Sequence, residues 1–76
     1  GEASLVATAL PEEAKGHGLT VEEVELPDNA TLAAIVRDGQ VITPHAHDVY
    51  SAGDELLFIA TEAAEELLKN CFIASN

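Results

Sequence analysis

The sequence predicts a single α+β domain over residues 1–76: a small two-layer sandwich of mostly antiparallel sheet with a β-hairpin and two helices, in the order β-α-β-β-(β)-β-α. Three observations predict it. Asp38-Gly39 joins two extended apolar segments, and Asp-Gly suits a type I′ hairpin turn because both central residues need positive φ. Glu55 to Ala60 (ELLFIA) is a nearly continuous apolar run of strand length, as in a central strand covered on both faces. From Thr61 onward, Ala64, Leu67, Leu68, Cys71 and Phe72 follow the i, i+3, i+4, i+7, i+8 template of an amphipathic helix.

The elements follow in order. Ser4 to Leu10 (SLVATAL) mixes β-branched and apolar residues and then meets Pro11, which removes a donor and ends a strand. Pro11 to Gly18 (PEEAKGHG) is a solvated loop by composition. Thr20 and Glu23 have the spacing of a capping box, with Leu19 and Val24 placed as a hydrophobic staple. Pro27 disfavours helical geometry at Leu26, so the helix that starts there is one to two turns long. Thr31 to Arg37 (TLAAIVR) reads as a strand covered on both sides, with Leu32, Ala34 and Val36 on one face and Ala33 and Ile35 on the other. Gln40 to Thr43 is the second hairpin arm, ended by Pro44. His45 to Ser51 forms a loop with a brief extended piece, and Ala52-Gly53-Asp54 is a turn. Thr61 is the expected N-cap of the last helix, with Glu62 and Glu65 in its first turn and Lys69 near its end, as the helix dipole favours.

Composition bounds the function. Fourteen acids against three Lys plus Arg give a net charge of −11, and Lys15, Arg37 and Lys69 are scattered singly. Clustered cations are what nucleic acids and anionic lipids require, so neither is an expected partner. The charge does not imply disorder, because 47% of the residues are hydrophobic and fall in periodic runs. No apolar run approaches the roughly 18 residues of a membrane helix. A domain this small buries only about 60% of its unfolded surface, and with Cys71 alone no disulfide can staple it, so a reducing compartment and self-association are expected. The absence of Met predicts a processed chain or, preferably, an excised C-terminal piece of a longer protein. Acids on loops, helix starts and outward faces, few lysines and abundant Ala, Thr and Val predict a halophilic source.

Catalysis has no supporting pattern. Ser51, His45, His47 and Asp48 are the right residue types for acyl transfer, but there is no nucleophile elbow or glycine-rich oxyanion loop, and the residues crowd one short segment. The adjacent pairs Glu12-Glu13, Glu22-Glu23 and Glu65-Glu66 read as solvated faces, and Cys71 reads as a buried core thiol. The chain is therefore expected not to be an enzyme. His45, His47 and Asp48 are weak metal candidates: two imidazoles on one side of an extended piece make half a site, short of a structural zinc site's ligand count, and solvated loop histidines are the preferred reading. Arg37 is the single guanidinium. An ion pair with Asp38 or with an acid across the sheet is preferred for it, and contact with a phosphate is the second reading.

The stretch LPDNATLAAIVRDGQVITPHAHDVYSAGDELLFIATEAAEEL, Leu26 to Leu67, resembles the C-terminal domain of potassium-conductance regulators, the RCK-C or TrkA-C family. The strand ending in Arg37, the Asp38-Gly39 hairpin, Val41-Ile42-Thr43-Pro44, and Ser51-Ala52-Gly53-Asp54 leading into an apolar strand and a Glu-rich helix carry the likeness. Gly16-His17-Gly18-Leu19 looks like the family's Gly-Lys-Thr-Leu with two departures. The resemblance implies a cytoplasmic, ligand-sensing homodimer that follows a Rossmann-type domain or a membrane segment in potassium or other cation transport systems. Some members bind cyclic di-AMP at the dimer interface. Carried over, a small anionic ligand would meet Val41, Ile42, Thr43, Pro44 and His45, with Arg37 as phosphate partner. A purely structural dimerisation module and a metal-dependent regulatory domain are the alternatives.

Overall fold

A computed structural model describes residues 2–10 and 18–72. Its elements are β1 (Ala3–Ala9), a 3₁₀ turn (Val21–Glu23), β2 (Ala30–Arg37), β3 (Gln40–Ile42), β4 (Glu55–Thr61) and α1 (Glu62–Phe72). The four strands form one antiparallel sheet in the order β1-β4-β2-β3, so the apolar ELLFIA run is central as expected. β4 pairs with β1 from Ala3 opposite Thr61 to Ala9 opposite Glu55, and with β2 from Ala30 opposite Ala60 to Val36 opposite Glu55.

The first helix contracts to a single 3₁₀ turn. Its capping box is present: the Thr20 N–H donates to Glu23 Oε1 at 2.8 Å and the Thr20 hydroxyl donates to the same oxygen at 3.0 Å. A cap alone cannot propagate a helix, and Val24 already has extended backbone angles three residues before Pro27. The brief extended piece in the 45–51 loop is Val49, bridged to Thr20. The Pro11–His17 part of the first loop, including Gly16-His17, lies outside the described residues.

Coverage of the sheet is one-sided, which corrects the expectation for both β2 and β4. Leu56, Phe58 and Ala60 of β4 are buried, but Ile59 between them is 43% exposed. Among the described residues only one long helix is present to cover a face, and α1 packs through Ala64 and Leu68. A bulge in β2 between Leu32 and Ala34 also changes its alternation. Leu32 opposes Phe58, Ala34 opposes Leu57 and Ile35 opposes Leu56, so Leu32 and Ile35 share the core face, while Ala34 and Val36 lie on the other. Along α1 the expected stripe holds at Ala64, Leu68 and the half-buried Cys71, but Leu67 is 54% exposed. Thr61 caps the helix as expected, its Oγ1 accepting from the Ala64 N–H at 3.3 Å.

The core joins Leu10, Ile35, Tyr50, Leu56, Phe58, Ala60, Ala64 and Leu68, with Val6, Val21, Val24 and Leu26 packed around it. Asp54 is the one acid buried among the described residues, and nine of the other eleven described acids are exposed. Self-repulsion of that surface is long-ranged in dilute buffer and falls to about 3 Å at 1 M salt. Added potassium chloride is therefore expected to raise stability by about 1 kcal/mol or more, roughly 4–8 °C in melting temperature for a domain of this size. Thermal unfolding by circular dichroism checks this; a melting point indifferent to salt would leave the acidity without a solvent explanation.

Candidate functional site

The hairpin fixes where Arg37 points. Asp38 and Gly39 have φ of 51° and 76°, the left-handed pair the two-residue turn needs, and Arg37 is thereby opposite Gln40 at the last register position. One step back, Val36 pairs with both Val41 and Glu55. The residue before Glu55 is Asp54, delivered by a turn in which Gly53 has φ of 89° and the Asp54 N–H donates to the Ser51 carbonyl at 3.1 Å. Register and turn bring the ends of the two chain segments together.

The result is a bidentate ion pair. Arg37 Nε donates to Asp54 Oδ1 at 2.8 Å and Nη2 donates to Oδ2 at 2.7 Å. The Asp54 side chain is 1% exposed and that of Arg37 35%. Oδ2 also accepts from the Ser51 N–H at 2.9 Å, and Nη2 also donates to the Val49 carbonyl at 2.9 Å. The Asp54 carbonyl accepts from Leu10 N–H at 2.9 Å, and Gly53 N–H donates to the Leu10 carbonyl at 3.0 Å. The Asp54 carboxylate thus ties the end of β2 to the 45–51 loop, while the backbone of Gly53 and Asp54 ties the start of β4 to the end of β1. The Arg37 hydrogen bond holds Asp54 below the ordinary carboxylate range, assisted by the Ser51 amide and opposed by burial. Asp54 in turn holds the guanidinium more firmly protonated. Of the two sequence readings for Arg37, the structure supplies the acid across the sheet, and it is Asp54 rather than Asp38.

The loop that joins this pair is itself clamped. Val21 N–H donates to the Asp48 carbonyl at 2.8 Å, Glu22 N–H to Ala46 at 3.2 Å, and Tyr50 N–H to Leu19 at 2.9 Å. Tyr50 is buried beneath it, and burial pushes its phenol up to about 12.

The remaining candidates fall on the adjoining hairpin edge. Val41 is 75% exposed, Thr43 and His45 are exposed, Pro44 is half-buried, and Ile42 turns into the core rim opposite Ile35. His45 Nδ1 lies 3.5 Å from Asp48 Oδ2, an oxygen that already accepts from the His45 amide at 2.8 Å. His47 is exposed, and among the described residues no three His, Cys, Asp or Glu side chains converge on a common point. Sequence reasoning read Asp54 only as a turn residue. The available signal was register, since an antiparallel β2/β4 pairing of Val36 with Glu55 puts Arg37 beside Asp54, but the bulge hides that register from the sequence.

Fold and site define a small α+β module: a one-sided antiparallel sheet whose hairpin is locked to a loop by a part-buried ion pair, with an apolar edge left exposed. The TrkA-C domain family model matches residues 5–72, and the chain belongs to that family. It is 40% identical over 75 residues to the Trk system potassium uptake protein TrkA of Mycobacterium tuberculosis, covering 99% of this chain and 34% of that protein. It is 28% identical over 72 residues to a Trk system potassium uptake protein TrkA homolog of Archaeoglobus fulgidus, covering 95% and 16%. The chain therefore spans about a third or less of these relatives. A solved structure described as "Structure of RCK domain with cda" shares the fold at TM-score 0.80 and 18% identity, over 92% of this chain and 99% of that one.

The two members of the ion pair are not equivalent. Arg37→Ala strands a buried carboxylate and is expected to cost about 3 kcal/mol. Asp54→Asn leaves a guanidinium that can turn to water, and is expected to cost about 1–2 kcal/mol. Because the folded carboxyl titrates below its unfolded value of about 3.9, its stabilisation is complete above that pH and is lost as pH falls through the folded value. Urea titrations across the acid range should show that loss in the wild type and a shallower one in Asp54→Asn. Equal costs for the two variants would contradict the asymmetry.

Proposed function

We propose that this chain is a cytosolic, non-catalytic regulatory domain of a Trk-type potassium or other cation transport protein, that it dimerises through its hairpin region, and that a small anionic ligand of the cyclic di-AMP kind sits at the two-fold interface. Family membership and the potassium-uptake relatives support the transport context. A shared fold with an RCK domain solved with cda supports ligand sensing. The attached partner would be a Rossmann-type domain or a membrane segment, and room for one is consistent with this chain covering 34% of the Mycobacterium tuberculosis relative.

The observation that carries the reading is the unused side of Arg37. Asp54 and Val49 occupy Nε and Nη2, while Nη1 makes no hydrogen bond among the described residues, one register step from the exposed Val41. A phosphate approaching a chain of charge −11 needs local compensation, and Arg37 can offer Nη1 without surrendering Asp54. Because the same guanidinium is wired to Leu10 through Asp54, a change in hairpin arrangement reaches the end of β1. Ligand would then act by favouring one dimer arrangement over another, a population shift that attached domains read as open or closed.

Thermal shift and titration calorimetry with cyclic di-AMP, ATP and divalent ions test it. A binder present at 100 times its dissociation constant is expected to add about 2.7 kcal/mol of stability. No shift with any of them at saturation removes ligand sensing and leaves assembly as the role; a response to divalent ions that His45→Ala with His47→Ala abolishes points to metal regulation instead. Light scattering that gives a monomer at tens of micromolar, roughly the range of weak dimers, removes the dimer.

A further inference from the structure

The sheet order leaves two edges, and they are built differently. β3 has three residues, follows Asp38-Gly39 and is closed off by Pro44, so it offers little ladder to an intruding strand. β1 has seven residues, Ala-Ser-Leu-Val-Ala-Thr-Ala, with no charge, no proline and no bulge in its ladder to β4. Among the described residues nothing pairs with its outer side. Alternate N–H and C=O groups along that side point outward with no strand to receive them. The usual protections of an edge, namely lysine, proline, a bulge or brevity, are all missing from it.

An occupant of this edge must be extended backbone that sets no acid against the acids of this chain at the seam. The chain contains such a segment, β1 itself. We propose that β1 pairs antiparallel with β1 of a second copy across a two-fold axis, making one eight-stranded sheet. Centred on Val6, the pairing sets Leu5 against Ala7 of the second copy, Ser4 against Thr8, and Ala3 against Ala9. Large side chains then face small ones and hydroxyl faces hydroxyl. The flanking acid, Glu2, lies eight residues along the ladder from Glu2 of the second copy, about 27 Å at strand spacing and well beyond a Debye length at physiological salt. Pairing also extends the open-face apolar row of Leu5, 63% exposed, and Ile59. This surface lies at the opposite edge of the sheet from the hairpin, so it stands independently of the dimer proposed above.

Hydrogen exchange read by mass spectrometry on concentrated and dilute protein tests the pairing. Amides of residues 3–9 are expected to exchange about tenfold or more slowly in the concentrated sample, because closing the edge protects its outward groups. Leu5→Lys with Ala7→Lys, both at exposed positions, should abolish that protection at every concentration. These lysines lower the net charge, so mere relief of repulsion would strengthen association; loss of protection therefore reports the edge itself. Val41→Lys, on the other edge, should weaken the hairpin dimer and leave β1 protection unchanged. Exchange independent of concentration, protection that survives the double lysine variant, or protection lost in Val41→Lys would each overturn the proposal.

Discussion

The Arg37–Asp54 pair is the constraint on which the rest of this domain leans. A carboxylate with 1% exposure costs far more to bury than a small core can offset unless its lone pairs are filled. Here two guanidinium nitrogens and the Ser51 amide fill them. The donors come from two stretches of chain, the end of β2 and the 45–51 loop, so the carboxylate is satisfied only when the hairpin, that loop and the turn before β4 are all in place. The same segments also meet in the core through Leu10, Ile35, Tyr50 and Leu56, so the polar and apolar contacts agree on one arrangement. Fixing register and arrangement is the use best attested for buried ionic groups, and this pair joins the hairpin end to the loop that leads into β4.

The one-sided sheet follows from a second constraint, the amount of helix available. With the first helix reduced to a 3₁₀ turn, α1 alone covers the sheet, and the face carrying Leu5, Leu57, Ile59, Val36 and Val41 has nothing over it among the described residues. The bulge at Leu32–Ala34 serves the covered side. It lets Leu32 and Ile35 both face Phe58 and Leu56, concentrating apolar volume under the helix at the expense of the open face.

Much of this was legible from residues because local chemistry decides it. Asp38-Gly39 can only be a turn of positive φ between two apolar runs, Thr61 with Glu62 and Glu65 can only begin a helix, and the structure agrees at both places. Thr20 and Glu23 made a correct cap but an overlong helix, because capping satisfies the first donors of a helix and says nothing about whether an apolar stripe follows to hold it. The faces of β2 and the exposure of Ile59 and Leu67 were misread for a different reason. Periodicity tells which residues share a side, but a bulge breaks the period, and whether a side is covered depends on another element's length. The Arg37 ion pair was anticipated in kind and not in partner, since its identity depends on the register that the bulge shifts.

These constraints meet at the cations. Lys69 is exposed near the end of α1, so among the described Lys and Arg residues Arg37 is the one that the hairpin carries. An anionic ligand there and the buried Asp54 would therefore draw on the same guanidinium, and by linkage each alters the other's free energy. A ligand that takes Nη1 alone leaves the structural pair intact; one that pulls Nη2 away from Asp54 and Val49 loosens the loop and the end of β1 with it. In a domain so short of positive charge, an anion bound at the hairpin would share Arg37 with the contacts that hold the fold together, and such sharing is the physical condition for occupancy there to be felt elsewhere in the chain.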